Sequence, residues 1–506
     1  MMFSTGGNAA FVIASLAVGA VGSYLITYPW RRSVSRSWFL GGLVSVLAYG
    51  TAFYFVFTPY KEWNYLAFDG LGRFVAIVAL PLGAVVSLYS MRYMRESDGA
   101  GRYYGLLLLM SIGVIGVVSA RDTIGLYLFF ELMSVSSYSL VSFRKDQWAP
   151  VEAGLKYVML NATGSSLALL GISLAYLYRD STLLGSVGWV LRTQGAHFLS
   201  PGALALAFTV AGMGVKSAMV PFHTWLPDAY ASAPAGVSAM LSGIVTEMGF
   251  VAMLRLVLGE FSQGYEVFGY VLVFMALVTM TVGNLGALGQ RDIKKMLGYS
   301  SIAQMGYMMA GMGLGLGLGV SDGIRGSLFH IMTHSAMKAG AFLAAGLLID
   351  NIGSRSIDDM RGAGQKYPLI GSVLAISALS LAGIPGFAGF MSKLWIYRAG
   401  LESGQRLGWL VSIVAIGNSV LSLGYYLPLL FVLFRRTEDS REREVALTTE
   451  GQLPPAGTVL ASTGTPWELL PVLLLGVAVM ALGSYPVPVL DALESAAATL
   501  AFLGGL

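Results

Sequence analysis

Residues 213–228 read Met213-Gly214-Val215-Lys216-Ser217-Ala218-Met219-Val220-Pro221-Phe222-His223-Thr224-Trp225-Leu226-Pro227-Asp228, and Ala233-Pro234-Ala235-Gly236-Val237-Ser238 follows closely. Most of this stretch lies in an apolar run, 202–225, and a bilayer crossing takes roughly 20 such residues. A lysine and a proline sit together inside that run. Pro221 has no N–H and must interrupt the helical hydrogen-bond ladder. The lysine charge costs at least about 2.5 kcal/mol by insertion scales. The same pairing returns at Ala382-Gly383-Ile384-Pro385-Gly386-Phe387, followed by Lys393. Two interrupted helices in corresponding places are the trace of an internal repeat in a membrane transporter.

Outward from these two points the chain is apolar nearly throughout. Fourteen runs are readable: 8–28, 37–57, 69–91, 103–119, 122–143, 153–178, 202–225, 234–258, 267–289, 295–318, 324–349, 368–397, 407–434 and 467–501. They are continuous, without the alternation of a barrel strand, so the expected class is all-α with about 14 transmembrane helices. Helices 7 and 12 are the broken ones. The expected division is 1–102 for helices 1–3, 103–260 for a first repeat (helices 4–8) and 261–434 for a second (helices 9–13). A polar cytoplasmic loop, 435–466, then precedes helix 14 in 467–506. No signal-peptide cleavage pattern precedes the first run, which reads as a retained helix.

Composition agrees. Of 506 residues, 11% are charged and 56% hydrophobic, against about 25% charged in soluble domains. That leaves too little polar surface to cover a water-soluble body. With no cysteine, the chain can hold neither a disulfide nor a thiolate-bound cluster. A formal charge of +4 calls for no nucleic-acid partner. No Walker loop, cytochrome ligand pattern or Rossmann fingerprint is present, so no cofactor and no redox centre are expected. The alternating glycines of Gly311–Gly319 are too apolar for phosphate and suit close helix packing. Orientation follows from cation bias. The odd-numbered connections carry 18 Lys and Arg and the even-numbered ones 7. The odd connections therefore read as cytoplasmic, with both termini outside.

Ionisable residues at membrane depth mark polar pathways by default. Glu131, Lys216, Glu247, Lys338 and Lys393 all lie inside apolar runs, whereas Lys156 and Arg255, nearer helix ends, read as snorkelling chains. His330, His334 and Lys338 recur at i, i+4 and i+8, on one helix face at about 6 Å per step. Two imidazoles and an amine so placed make a short proton relay. Zinc is the competing reading of two histidines at that spacing, but the run has no nearby Glu and no HExxH pattern, so no metal is expected. Glu131 beside Lys216 would form a switchable pair. Burial loosens an amine's hold on its proton and a neighbouring carboxylate tightens it, so moving the carboxylate drives release.

As a set, these residues resemble the antiporter-like subunit family shared by respiratory complex I, membrane-bound hydrogenases and Mrp-type cation/proton antiporters. The resemblance spans roughly 65–435. It rests on the Val215–Leu254 region, on Phe129-Phe130-Glu131-Leu132-Met133-Ser134, on Asp292 through Gly306 and on Leu381-Ala382-Gly383-Ile384-Pro385. It implies two inverted five-helix repeats within a multisubunit complex of the prokaryotic cytoplasmic membrane. Partners would be other membrane subunits, homologous ones included, with H⁺, or alternatively Na⁺, as the transported ion.

The resemblance also implies roles. Glu131 modulates Lys216, the first-half carrier; His330, His334 and Lys338 join the halves; Lys393 is the terminal carrier facing outside. His223 and Asp228 receive no chemistry and are placed at the cytoplasm-distant end of helix 7. Glu247 stands where many members carry a lysine, so a relay there would run through a carboxyl group and water, or Glu247 would help hold a cation. The motifs feel nearest to the Mrp D and hydrogenase-type subunits. A proton-pumping complex I subunit is the alternative, and a structural membrane-arm subunit a third reading.

Reporter fusions in the loops after helices 1, 3, 9 and 13 are expected on the cytoplasmic face. A cytoplasmic location for either terminus contradicts the helix count or the orientation.

Overall fold

The computed structural model describes residues 8–28, 34–58, 65–95, 97, 99–177, 182, 184, 201–260, 265–436 and 466–504. The polar stretch read as a loop lies outside these residues except at its two ends. The described chain is helical without strands, its only bridges being Leu66 to Ala120 and Asp292 to Ser356.

The helices are α1 (Ala9–Thr27), α2 (Val34–Val56), α3 (Gly70–Met94), α4 (Ala100–Ser119), α5 (Thr123–Val141) and α6 (Trp148–Tyr176). The seventh crossing is two pieces, α7 (Pro201–Lys216) and α8 (Trp225–Ser232). The eighth runs through α9 (Ala235–Met240), a π-helical turn (Leu241–Val245) and α10 (Thr246–Glu260). Then come α11 (Tyr265–Leu288), α12 (Ile293–Leu318), α13 (Ser321–Ile352) and the short α14 (Ala363–Lys366). The twelfth crossing is again two pieces, α15 (Pro368–Ala382) and α16 (Ala388–Glu402). Finally come α17 (Arg406–Phe434), α18 (Pro466–Ser484) and α19 (Leu490–Gly504). Among the described residues, 10 helices are apolar and long enough to cross a membrane.

Local chemistry explains where several helices begin. Asp69, Asp122 and Asp292 each turn a carboxylate back onto backbone N–H groups of the first turn, of α3, α5 and α12. The glycine run does what its composition suggested. A side chain on Gly269 of α11 would overlap the backbone of Gly317 in α12, so the two helices pack at backbone contact.

One expectation is corrected here. The run 467–501 is not a single helix, because Pro486 and Pro488 interrupt it and α19 sets off separately. Buried Leu493, Ala496 and Leu500 form one face of α19, and Gly70 N donates to Thr499 Oγ1 at 3.1 Å. The helix thus packs against the start of α3.

What positions the site is α13. Its apolar window is wholly buried, as is that of the eighth crossing beside it. Around it lie α3, α9, α12, α15, α16 and α18. The polar side chains in the middle of α13 are therefore enclosed by protein, and their partners must come from those neighbours and from the rest of the eighth crossing.

Candidate functional site

The first break places Lys216. α7 ends at that residue, Ala218 turns into left-handed backbone at φ 52°, and α8 resumes at Trp225. Trp225 donates Nε1 to the Val215 carbonyl at 3.0 Å and stacks on Tyr157, which pins the two pieces together. A side chain on Gly249 would overlap the Lys216–Ser217 backbone, so α10 presses directly on the break. The Lys216 ammonium donates to Glu131 Oε1 at 3.0 Å and to Ser134 Oγ at 3.1 Å, and lies 4.3 Å from the centre of the Phe130 ring. Ser165 Oγ donates to the same carboxylate oxygen at 2.6 Å. Lys216 is enclosed while the Glu131 side chain is 29% exposed. The carboxylate can therefore respond to what lies beside the chain, and among the described residues it is the one charged group bonded to the enclosed amine.

The centre is built on α13. His334 Nδ1 meets Glu247 Oε1 at 2.6 Å, with both side chains buried. Glu247 lies two residues past the end of the π turn, and Ser335, next to His334, donates to the Gly243 carbonyl inside that turn. Widened turns of this kind are frequent at functional sites. Glu247 Oε2 and His334 Nε2 are buried and hydrogen-bond to no protein group. The His334 and His330 rings stack at 6.0 Å between centres. Lys338, expected to continue this line, turns away from it. Its ammonium donates to the Leu297 carbonyl at 2.8 Å and to Ser300 Oγ, and Tyr426 OH donates to the same serine at 2.8 Å. Helical spacing puts Cβ atoms on one face, but a lysine has four more atoms with which to choose its neighbour.

The second break places Lys393. Pro385 lacks the N–H that would satisfy the carbonyl four residues back, so the helix leaves the Leu381 carbonyl free. Lys393 Nζ donates to it at 2.7 Å and Gln304 Nε2 at 3.1 Å. Lys393 also donates to Ser419 Oγ at 3.2 Å and lies 4.3 Å from the centre of the Tyr307 ring. Tyr307 OH and Tyr397 OH bond the same serine. The other end of Gln304, Oε1, meets His330 Nε2 at 3.0 Å, and His330 Nδ1 meets Ser392 Oγ at 2.9 Å.

The structure thus joins Glu131 to Lys216, Glu247 to His334 and then His330, and His330 through Gln304 to the carbonyl held by Lys393. No direct bond joins Lys216 to Glu247. Three other expectations change. Arg255 is no snorkelling chain: it is buried, donates to the Ala120 carbonyl at 3.4 Å and pairs with Asp69. Asp228 lies at the end that carries the cation-rich connections, since it pairs with Lys156 at 3.3 Å and Lys295 at 2.9 Å. His223, five residues before it, sits in the break itself. Sequence reasoning also missed Gln304, Ser392, Ser300 and Ser419. Gln304, a lone amide within an apolar helix, was the available signal.

Over residues 120–421 the chain matches the family model described as NADH:quinone oxidoreductase/Mrp antiporter, TM. The chain belongs to that family. It is 33% identical over 392 residues to F(420)H(2) dehydrogenase subunit N of Methanosarcina mazei, covering 76% of this chain and 78% of that protein. It is 35% identical over 368 residues to NADH-quinone oxidoreductase subunit N of Desulforamulus reducens, covering 72% and 75%. Among solved structures it resembles a chain of respiratory complex I from Thermus thermophilus, with a TM-score of 0.74, 27% identity, and 96% and 99% coverage. The Mrp complex from Dietzia sp. DQ12-45-1b gives a TM-score of 0.80 at 23% identity, with 97% and 96% coverage, a likeness of fold.

The chain is an antiporter-like membrane subunit of the kind found in complex I-type and Mrp assemblies. These relatives favour the quinone oxidoreductase alternative over the Mrp D or hydrogenase type.

Leaving a buried hydrogen-bonding group without its partner costs about 1–3 kcal/mol. Glu247→Leu and His334→Phe should each lower the thermal stability of the purified complex to that degree, and the double variant should lose clearly less than the two losses summed. Strict additivity in thermal unfolding would show that the contact contributes nothing.

Proposed function

We propose that the chain is a proton-translocating membrane-arm subunit of a complex I-type quinone oxidoreductase, the counterpart of the subunits N named above. The observation that carries the reading is the line of enclosed ionisable groups, Glu131–Lys216, Glu247–His334–His330 and Lys393, each held by neighbours that can give or take a hydrogen bond. Burying so many ionisable groups at membrane depth is costly and has a use in proton transfer. Hydroxyls and a stacked imidazole pair suit that use better than they suit plain helix pairing.

The mechanism is charge displacement. With Glu131 against it, Lys216 keeps its proton; when the carboxylate moves, the enclosed amine gives the proton up. The receiving group is the Glu247–His334 pair, whose Oε2 and Nε2 atoms are not engaged by protein. Water bridges the gap, since α10 brings Glu247 and the Lys216 break onto adjoining helices. His330 then faces the second half, where Lys393 ends the line. The halves are 103–260 and 261–434, the cation-rich end faces the cytoplasm, and Lys393 releases outward. Lys338, turned to Ser300 and Tyr426, is a side branch that loads the central histidines from α12 and α17. Electrons travel in other subunits of the host complex, which makes this chain the driven element.

The test is proton uptake coupled to quinone reduction by the reconstituted complex. Glu131→Gln, Lys216→Ala and His334→Gln are each expected to remove most uptake while the complex assembles. Gln keeps the approximate size and hydrogen bonding of His334 but cannot gain a proton near neutrality. Full uptake in all three variants would reduce these groups to structural pairs.

A further inference from the structure

The Gln304 amide is held at both ends, and the direction of every bond it makes is fixed by chemistry. The Leu381 oxygen can only accept, so the NH₂ group of Gln304 must face it and Oε1 must face His330. Oε1 is an acceptor, so His330 Nε2 must carry a hydrogen in both the neutral and the charged ring. The other ring nitrogen, Nδ1, faces the Ser392 hydroxyl, which can donate to a lone pair or accept from an N–H. Thr333 Oγ1 donates to Ser392 Oγ at 3.0 Å, and the Ser392 hydroxyl hydrogen can turn either to the ring or to the Ala388 and Gly389 carbonyls, each at 3.3 Å. His330 therefore gains and loses its titrating proton on the Ser392 side, while Nε2–H, on the side linked through Gln304 to the carbonyl that Lys393 holds, is locked against an amide oxygen that does not pass protons on.

We propose that Gln304 is a positioning residue that gates transfer from His330 to Lys393: seated on the Leu381 carbonyl it bars the proton, and unseated it opens His330 Nε2 to water. The inference rests on the proton-relay reading above. In the open state the charged ring gives its Nε2 proton to a water, and the water passes a proton to the Lys393 amine, which becomes ammonium. The ring is left neutral with its hydrogen on Nδ1. A returning Gln304 would then set Oε1 against the bare lone pair of Nε2, so the seat re-forms only after the ring tautomerises, Nδ1 giving its hydrogen to water as Nε2 takes one from water, with no net proton gained or lost. The gate exists because Pro385 breaks the twelfth crossing: an intact helix would occupy the Leu381 carbonyl and give Gln304 nothing to hold.

Two substitutions delete the same hydrogen bonds and have opposite expected effects on permeability. Gln304→Ser leaves room for water, so passive proton conductance of liposomes holding the complex, measured with a pH dye and no electron donor, should rise on the order of tenfold or more as the two bonds holding the seat are lost. Coupled uptake should fall with it. Gln304→Leu fills the space with apolar atoms, so uptake should be lost with the membrane staying tight. Adding His330→Phe or Lys393→Ala to Gln304→Ser should abolish the leak. A merely structural role would make Ser and Leu behave alike. Equal, tight permeability in both, or a leak that survives His330→Phe, overturns the gate. If Lys216→Ala and Lys393→Ala pump normally, the relay reading itself fails, which is a separate result.

Discussion

Two prolines set the constraint on which the rest depends. Inside a bilayer every backbone polar group must find a partner within the protein. Pro221 and Pro385 each remove an N–H from a crossing helix, so carbonyls near the breaks must be satisfied by side chains. At the first break Trp225 bonds the Val215 carbonyl; at the second Lys393 and Gln304 share that of Leu381. The breaks thus bring polar groups to membrane depth and supply the acceptors that hold them there. Lys216 and Lys393 are used differently: one ends the first piece of its helix and meets a carboxylate, the other follows its break and meets a carbonyl and a serine.

The centre of the molecule lies between these two sites. The middle of α13 is enclosed on all sides, so its imidazoles face only what the neighbouring crossings offer. The π turn before Glu247 and the carbonyl it presents to Ser335 hold the eighth crossing in register with α13. An acid here in place of an amine changes the chemistry of the line. A carboxyl group against an imidazole, 2.6 Å apart, can share one proton between two acceptors, whereas an amine against an imidazole would set two bases side by side.

Much of this was legible in the sequence. The apolar runs return as helical segments, the seventh and twelfth in two pieces and the last split in two, because hydropathy and length are properties of the chain itself. Both breaks fall at their prolines, and the lysines, the acids and the two stacked histidines lie where their runs put them. Three things were not legible. Lys338 shares the face of His334, yet its long side chain reaches Ser300 on another helix. Asp228 takes its place from Lys156 and Lys295, which come from two distant segments. Gln304 and Ser392 act only through partners on other helices, so their part in the site appears once three crossings are packed. The final run was misread because length alone did not register that Pro486 and Pro488 end one helix before α19 begins.

The central claim is that the enclosed groups change protonation while the complex works, and Glu247 gives the most direct view of it. Infrared difference spectra between resting and reduced complex report the carbonyl stretch of a protonated carboxyl group, a band that shifts in D₂O. The account predicts such a band in the wild type and its loss in Glu247→Gln, with the remaining bands in place. A spectrum identical in wild type and variant would mean that Glu247 keeps one protonation state through turnover, and would contradict a proton path through the centre of the chain.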